Sequence, residues 1–315
     1  DNVMHALRSP VRACRRNYQF PRENSTKRKR IAARGLIIPA MAAKFGLLLL
    51  FCCPAASALQ ALAGIKATRL SDGKEIDVGA AIANEKSLLV CGTYPADFNA
   101  IEYAQRIRHY APELKARGIE SMRLVLNGPP AACEKLVELL DLEGVEVLSD
   151  PSGAAGRAFG CSRGWKPDDD ELAFGEVSVP LNAYGKLLGM LVGLGAWATL
   201  PAVVSGYLGN PFRGQPWIET ALAQGREVGR WPSGLVVDVD ESGAVTRNAF
   251  AELPVVGAWP RRPLELATLR LQNMVGVSLK HWDALKPDDE RVLTQLGGLV
   301  VSDGAGGALY EYRDP

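Results

Sequence analysis

Ser87-Leu-Leu-Val-Cys-Gly-Thr93 is a short, nearly continuous apolar run, the form taken by a strand buried on both faces of a sheet. A helix is predicted from about Asp97, where Ile101, Ala104, Ile107, Ala111 and Leu114 recur as one apolar stripe. Asp97 stands at its N-cap, from which a carboxylate can accept from first-turn amides. Pro112 predicts a kink or the loss of the last turn. Working outward, Met122–Leu126 reads as the next strand and Pro130 to Leu142 as a helix with Leu136, Leu139 and Leu140 inward. Val145–Leu148 reads as a third strand, followed by a short helix ending at Phe159. Upstream, Gly64–Leu70 and Glu75–Val78 flank an Asp72-Gly73 turn, the signature of a hairpin. Downstream, Gly298–Ser302 and Ala308–Tyr312 flank a glycine-rich turn and form a second hairpin.

Strands and helices alternating at this spacing predict an α/β protein with parallel pairing. A βαβαβ unit completed by a terminal hairpin is the thioredoxin arrangement; its usual final helix is not expected before Pro315, which implies either a truncated sequence or a fold capped differently. Residues 162–290 are too many for a loop of a compact domain and are expected to form a mainly helical insertion. The predicted organisation is a leader or an untranslated or targeting extension (1–40), a signal peptide (41–58), the first part of a thioredoxin-like domain (61–161), the insertion (162–290) and the closing hairpin (291–315).

The signal peptide is read from its three parts. Met41-Ala-Ala-Lys44 is a basic n-region, Gly46-Leu-Leu-Leu-Leu-Phe-Cys-Cys53 an apolar core too short to span a bilayer, and Ala56-Ser57-Ala58 a cleavage site. Residues 1–60 carry 11 Lys/Arg and 2 Asp/Glu, leaving 25 and 33 for residues 61–315, a net charge of −8. So acidic a folded part argues against nucleic acid as a partner. Beyond the signal the cysteines are Cys91, Cys133 and Cys161. They lack metal-ligand spacing, and with only His109 and His281 beside them no metal or other cofactor is expected.

Three segments carry a family likeness. Leu148-Ser-Asp-Pro-Ser-Gly-Ala-Ala-Gly-Arg-Ala-Phe-Gly160 resembles a peroxiredoxin motif, and Gln295–Ser302 with Leu309–Asp314 resembles the closing hairpin of the peroxiredoxin-like (AhpC/TSA-related) proteins. Arg262–Met274 resembles a segment of a cyanobacterial and plastid branch of that group. The resemblance implies a thioredoxin fold and a reactive cysteine at the start of the helix after the central strand, where the helix N-terminus favours thiolate. Peroxiredoxins write this as Pro-x-x-x-Thr-x-x-Cys. Here the stretch is Pro95-Ala-Asp-Phe-Asn-Ala-Ile-Glu102, with Asn99 at the Thr position and Glu102 at the Cys position. The Cys-x-x-Cys of the peroxiredoxin-like proteins falls on Asp97 and Ala100. Under either alignment the nucleophile is absent, so no catalytic residue is expected.

The fallback thiols are Cys161, which precedes Arg163 at a helix end, and Cys133, in a first helical turn beside Glu134. Cys91 reads as a core residue, and the run Asp168–Glu171 as a solvated acidic loop.

From Leu187 to Phe212 there is no charge. Two short helices are expected there, the second opening at Thr199 and Pro201. Gly185, Gly189 and Gly193 form a small-residue ridge on the first. Leu187, Gly189, Leu191, Gly193, Trp197 and Tyr207 are the candidate partner or membrane contacts, with core packing the alternative. Trp217, Trp231, Trp259 and Trp282 suit an interface or a core equally, and Leu264 to Leu285 is predicted as one helix. The leading expectation is a redox-degenerate accessory or docking subunit of a photosynthetic thylakoid membrane complex, reached through the signal peptide. The alternatives are an antioxidant oxidoreductase using Cys161 or Cys133, a soluble binder of an apolar ligand, and another endomembrane or secretory address.

Overall fold

The computed structural model describes residues 58–174, 177–191, 194, 216–218, 220–221, 237–239, 245–255, 257–258 and 275–314. A four-residue helix α1 (Ala58–Ala61) leads into the hairpin β1 (Lys66–Arg69) and β2 (Glu75–Asp77). Its Asp-Gly turn places Gly73 at φ +68°, in the left-handed region that glycine enters without a steric cost. The chain then turns helical at Val78, where a continued strand was expected. The Asp77 carboxylate accepts from Ala80 N at 2.9 Å and caps α2 (Val78–Ala83).

The central unit follows the predicted order: β3 (Ser87–Cys91), α3 (Phe98–Ala116), β4 (Ser121–Leu126), α4 (Pro130–Leu140), β5 (Glu146–Ser149) and α5 (Ala154–Phe159). With the closing hairpin β10 (Gly298–Ser302) and β11 (Ala308–Arg313) they make a seven-stranded sheet ordered β11-β10-β3-β4-β5-β1-β2. The pairs β3/β4 and β4/β5 are parallel, and every other pair is antiparallel.

Alternation along each strand divides the core in two. Leu88 and Val90 of β3, Leu124 and Leu126 of β4 and Leu299 and Val301 of β10 join Ile101, Ala104, Ile107, Leu136 and Leu140 on one face. Leu89, Cys91, Val125 and Val300 join Leu59, Leu62, Ile82, Ala155 and Phe159 on the other. Helices on both faces explain why β3 reads as an unbroken apolar run rather than an alternating one. The fold is α/β and thioredoxin-like.

Pro112 does not end α3, which runs through it to Ala116. Proline removes one backbone hydrogen bond, while Ile107 and Leu114, buried on either side of it, hold the helix against the sheet.

The 162–290 stretch holds more strand than expected. Beside α6 (Ala183–Leu191) the described residues form two antiparallel hairpins, β6 (Glu171–Phe174) with β7 (Val177–Pro180) and β8 (Val237–Val239) with β9 (Val245–Asn248). The helix predicted over Leu264–Leu285 is not continuous where described. A π-helical turn (Val275–Leu279) is separated by Lys280 and His281 from the short helix α7 (Trp282–Leu285). Among the described residues no helix is long and apolar enough to cross a membrane.

Candidate functional site

The first turn of α3 leaves the C-terminal end of β3 through Gly92-Thr-Tyr-Pro-Ala96, and it is here that the thiolate implied by the resemblance would stand. Asp97 is the N-cap, with extended backbone and its carbonyl accepting from Ile101 N at 3.1 Å. Its carboxylate closes no regular capping bond, but the first-turn amides of Phe98 and Asn99 still favour its charge. Burial pushes the Asp97 carboxyl up to about 6, against the opposing pull of Thr93 and the amides of Asn99 and Phe98; the nearby Glu102 charge adds to the rise. Ala100 is fully buried against the sheet.

Glu102 and Arg106 lie one turn apart on the same face. Arg106 donates to the Glu102 carboxylate at 2.7 Å, and both side chains are buried, 1% and 2% exposed. The Arg106 guanidinium stacks over the Trp217 ring at 4.5 Å. On the same helix the Tyr103 hydroxyl donates to Asp314 at 3.2 Å. In the loop before it, the Ala96 carbonyl accepts from Ser278 Oγ at 2.5 Å. Two separate parts of the 162–290 stretch, at Trp217 and Ser278, therefore close over this helix start. Arg106 was not singled out from the sequence, and Trp217 was noted only as an interface or core residue, not as its partner. The i, i+4 spacing of Glu102 and Arg106 was the available signal, although that spacing usually marks an exposed pair.

No cysteine lies between Cys91 and Cys133, so this turn holds no thiol, and the three thiols of the folded part are elsewhere. All are free and buried. Cys91 is in β3 with its thiol pKa driven well up by burial. Cys133 is in the first turn of α4, where its thiol donates to the Gly128 carbonyl at 3.5 Å and burial raises its pKa to about 12. Cys161 follows α5, and burial likewise raises it to about 12, with Asp314 adding to the rise and Arg313 opposing it. Arg163, the cation expected to assist Cys161, is turned instead onto Asp168 through two bonds of 2.6 and 2.7 Å. The cation that does approach is Arg313, which donates to the Phe159 carbonyl at 2.6 Å and stacks on the Phe159 ring. At the carboxylates, Lys166 pairs with Asp169 at 2.6 Å, so the expected solvated acidic run is largely matched by cations. Among the described residues no group of three or more His, Cys, Asp or Glu is placed to hold a metal ion.

Of the candidate contact residues, Gly189 packs inside the molecule. A Cβ there would stand 2.5 Å from the Trp165 ring. Leu187 is half-buried and Leu191 ends α6, while Leu188 and Tyr184 are exposed. Gly193, Trp197 and Tyr207, the helix expected from Thr199, Trp231 and Trp259 lie outside the described residues, as does everything before residue 58. Trp217 is core, and Trp282 packs between Tyr94 and Tyr184, each 6.3 Å away.

A central βαβαβ unit with a terminal hairpin, and a helix whose N-terminus opens at the end of the central strand, define a thioredoxin-fold protein. The chain matches the family described as AhpC/TSA antioxidant enzyme over residues 106–315, two thirds of its length, and belongs to that family. The match opens at Arg106, downstream of Asp97, Ala100 and Glu102. No curated protein and no solved structure matches the chain.

Proposed function

We propose that this member of the AhpC/TSA family has lost thiol peroxidase chemistry and serves as an accessory or docking subunit of a membrane assembly, a photosynthetic one at the thylakoid. The observation that carries the loss is the buried Glu102–Arg106 pair at the helix start. A peroxidatic centre needs a solvent-reached thiolate at that turn. The start of this helix instead leads into a buried ion pair stacked on Trp217, with Ser278 bonded to the Ala96 carbonyl just before it. The remaining thiols are buried and protonated at neutral pH. The docking role is supported by Tyr184 and Leu188, exposed four residues apart on α6 at the entrance to the uncharged stretch 187–212. The plastid address is supported by the signal-like segment 41–58 and by the likeness of Arg262–Met274 to plastid and cyanobacterial relatives.

The purified protein should reduce neither hydrogen peroxide nor an organic hydroperoxide with a dithiol donor. In native membrane fractions it should migrate within a larger complex and resist a salt wash. Peroxide turnover lost in Cys161→Ser or Cys133→Ser would transfer the assignment to the oxidoreductase reading. Recovery only as a soluble monomer would remove the docking role.

A further inference from the structure

Between the loop 167–170, the start of α6 and the turn at Glu290–Thr294 lies a cavity of about 300 Å³. It is lined by Asp168, Asp170, Asn182, Lys186, Glu290 and Arg291, among others. It lies in a different part of the chain from the α3 start, and nothing in the proposed docking role uses it.

Lys186 is the unusual group. Its side chain is only 8% exposed, yet its ammonium has two partners. It donates to the Pro167 carbonyl at 3.3 Å and stands 3.7 Å from an Asp170 carboxylate that is itself 95% exposed. An ammonium carries three donors, and a buried charge matched only by a solvated carboxylate is poorly compensated. The other cation on the wall is already engaged, because Arg291 holds Asp289 at 2.8 Å. Asp168 is likewise held by Arg163. Lys186 therefore faces the cavity as a cation with a donor to spare and only a long 3.7 Å contact to the solvated Asp170, while Glu290 faces it as a carboxylate without a close cation among the described residues.

The backbone reinforces this polarity. Asn182 caps α6, its Oδ1 accepting from Gly185 N at 2.8 Å. The amides of Ala183 and Tyr184, earlier in the same turn, have no carbonyl four residues back in the helix to bond. The positive end of a nine-residue helix thus opens beside Lys186.

From this juxtaposition we infer that the cavity binds a small zwitterion, a free α-amino acid. Its carboxylate is taken by Lys186 and the first turn of α6, and its ammonium by Glu290 and Asp170. A simple dianion such as phosphate would meet the same two carboxylates without a positive group to offer them, and a simple amine would meet Lys186.

The test is calorimetric titration of the full-length protein with L-alanine, acetate, methylammonium and inorganic phosphate. L-alanine should saturate one site and bind at least about tenfold more tightly than the other three, the gain from one further charge-assisted hydrogen bond. Lys186→Gln should weaken L-alanine binding by a similar factor. Glu290→Gln, at a surface turn, should weaken L-alanine while acetate binds no less tightly, because a repelling carboxylate is gone, which keeps the test informative if the Lys186 variant unfolds. Phosphate binding in preference to L-alanine, L-alanine binding indifferent to both substitutions, or no saturation by any probe would each overturn the inference.

Discussion

Glu102 and Arg106 share one helical face in a place water does not reach, and each compensates the other's charge. Removing one leaves a buried charge, which costs about 3–5 kcal/mol, whereas replacing both by apolar groups of similar volume is often neutral. Glu102→Ala should therefore lower unfolding stability by about that amount in a urea titration, while Glu102→Leu combined with Arg106→Met should recover most of it. Equal losses in the single and double variants would show that the site is held by something other than the pair. Asp97, five residues earlier, behaves in the opposite sense. Its carboxyl is raised to about 6 from an ordinary value of 3.8, so the folded state binds the proton more tightly than the unfolded chain. Its contribution is most favourable below the unfolded value and declines as pH rises through about 4 to 6. Asp97→Asn keeps the shape and the capping preference without the charge. It should stabilise the protein by about 1–2 kcal/mol at pH 7, a gain that vanishes near pH 4. Thermal melts of both proteins across that range check the sign, and a gain independent of pH would rule out titration of Asp97 as its source.

At the scale of elements, α6 illustrates how close packing shapes a helix that sequence alone presents as a docking ridge. Gly189 has the Trp165 ring where a Cβ would go, 2.5 Å away. Gly189→Ala should destabilise the 165–191 region by about 1–3 kcal/mol through overpacking, visible as faster amide exchange in α6 than in α3. Unchanged exchange would mean that Trp165 moves aside freely. The elements that were legible share one property: their pattern is set locally. The unbroken apolar run Leu88–Cys91 announces burial on both faces, and the stripe from Ile101 to Leu114 announces period and burial together. What was not legible depends on distant partners. Nothing near Trp217 in sequence points to Arg106, 111 positions away, and nothing near Ser278 points to the Ala96 carbonyl. The break at Lys280–His281 had only a weak signal, the poor helix formers Gly276, Val277 and Ser278 just before it. Arg163 was assigned to Cys161 by adjacency, but Asp168 five residues away offers a planar carboxylate for a two-bond pair, the stronger claim on a guanidinium.

Taken as a whole molecule, the sheet separates its thiols into two compartments. Cys133 belongs to the core beneath α3 and α4, whereas Cys91 and Cys161 belong to the core beneath α1, α2 and α5. The 162–290 stretch is fastened to α3 and the loop before it at three points: Trp217 under Arg106, Thr220 at 2.8 Å from His109, and Ser278 on Ala96. Exposing the thiols in both compartments thus requires parting helices from both faces of the sheet. Cys133 and Cys161 carry pKa values of about 12, which leaves only about one thiolate in ten thousand at pH 8, and burial limits access to that fraction further. Iodoacetamide labelling at pH 8, followed site by site by mass spectrometry, should find Cys91, Cys133 and Cys161 at least about a hundredfold slower than in the urea-unfolded chain. Their rates should rise together across the unfolding transition, because each is reported through opening of the same sheet. Early labelling of Cys161 alone, at urea concentrations where Cys91 and Cys133 stay protected, would identify a local opening at the end of α5. It would also revive Cys161 as a reactive thiol, since a residue that opens without global unfolding can meet an oxidant in the folded protein.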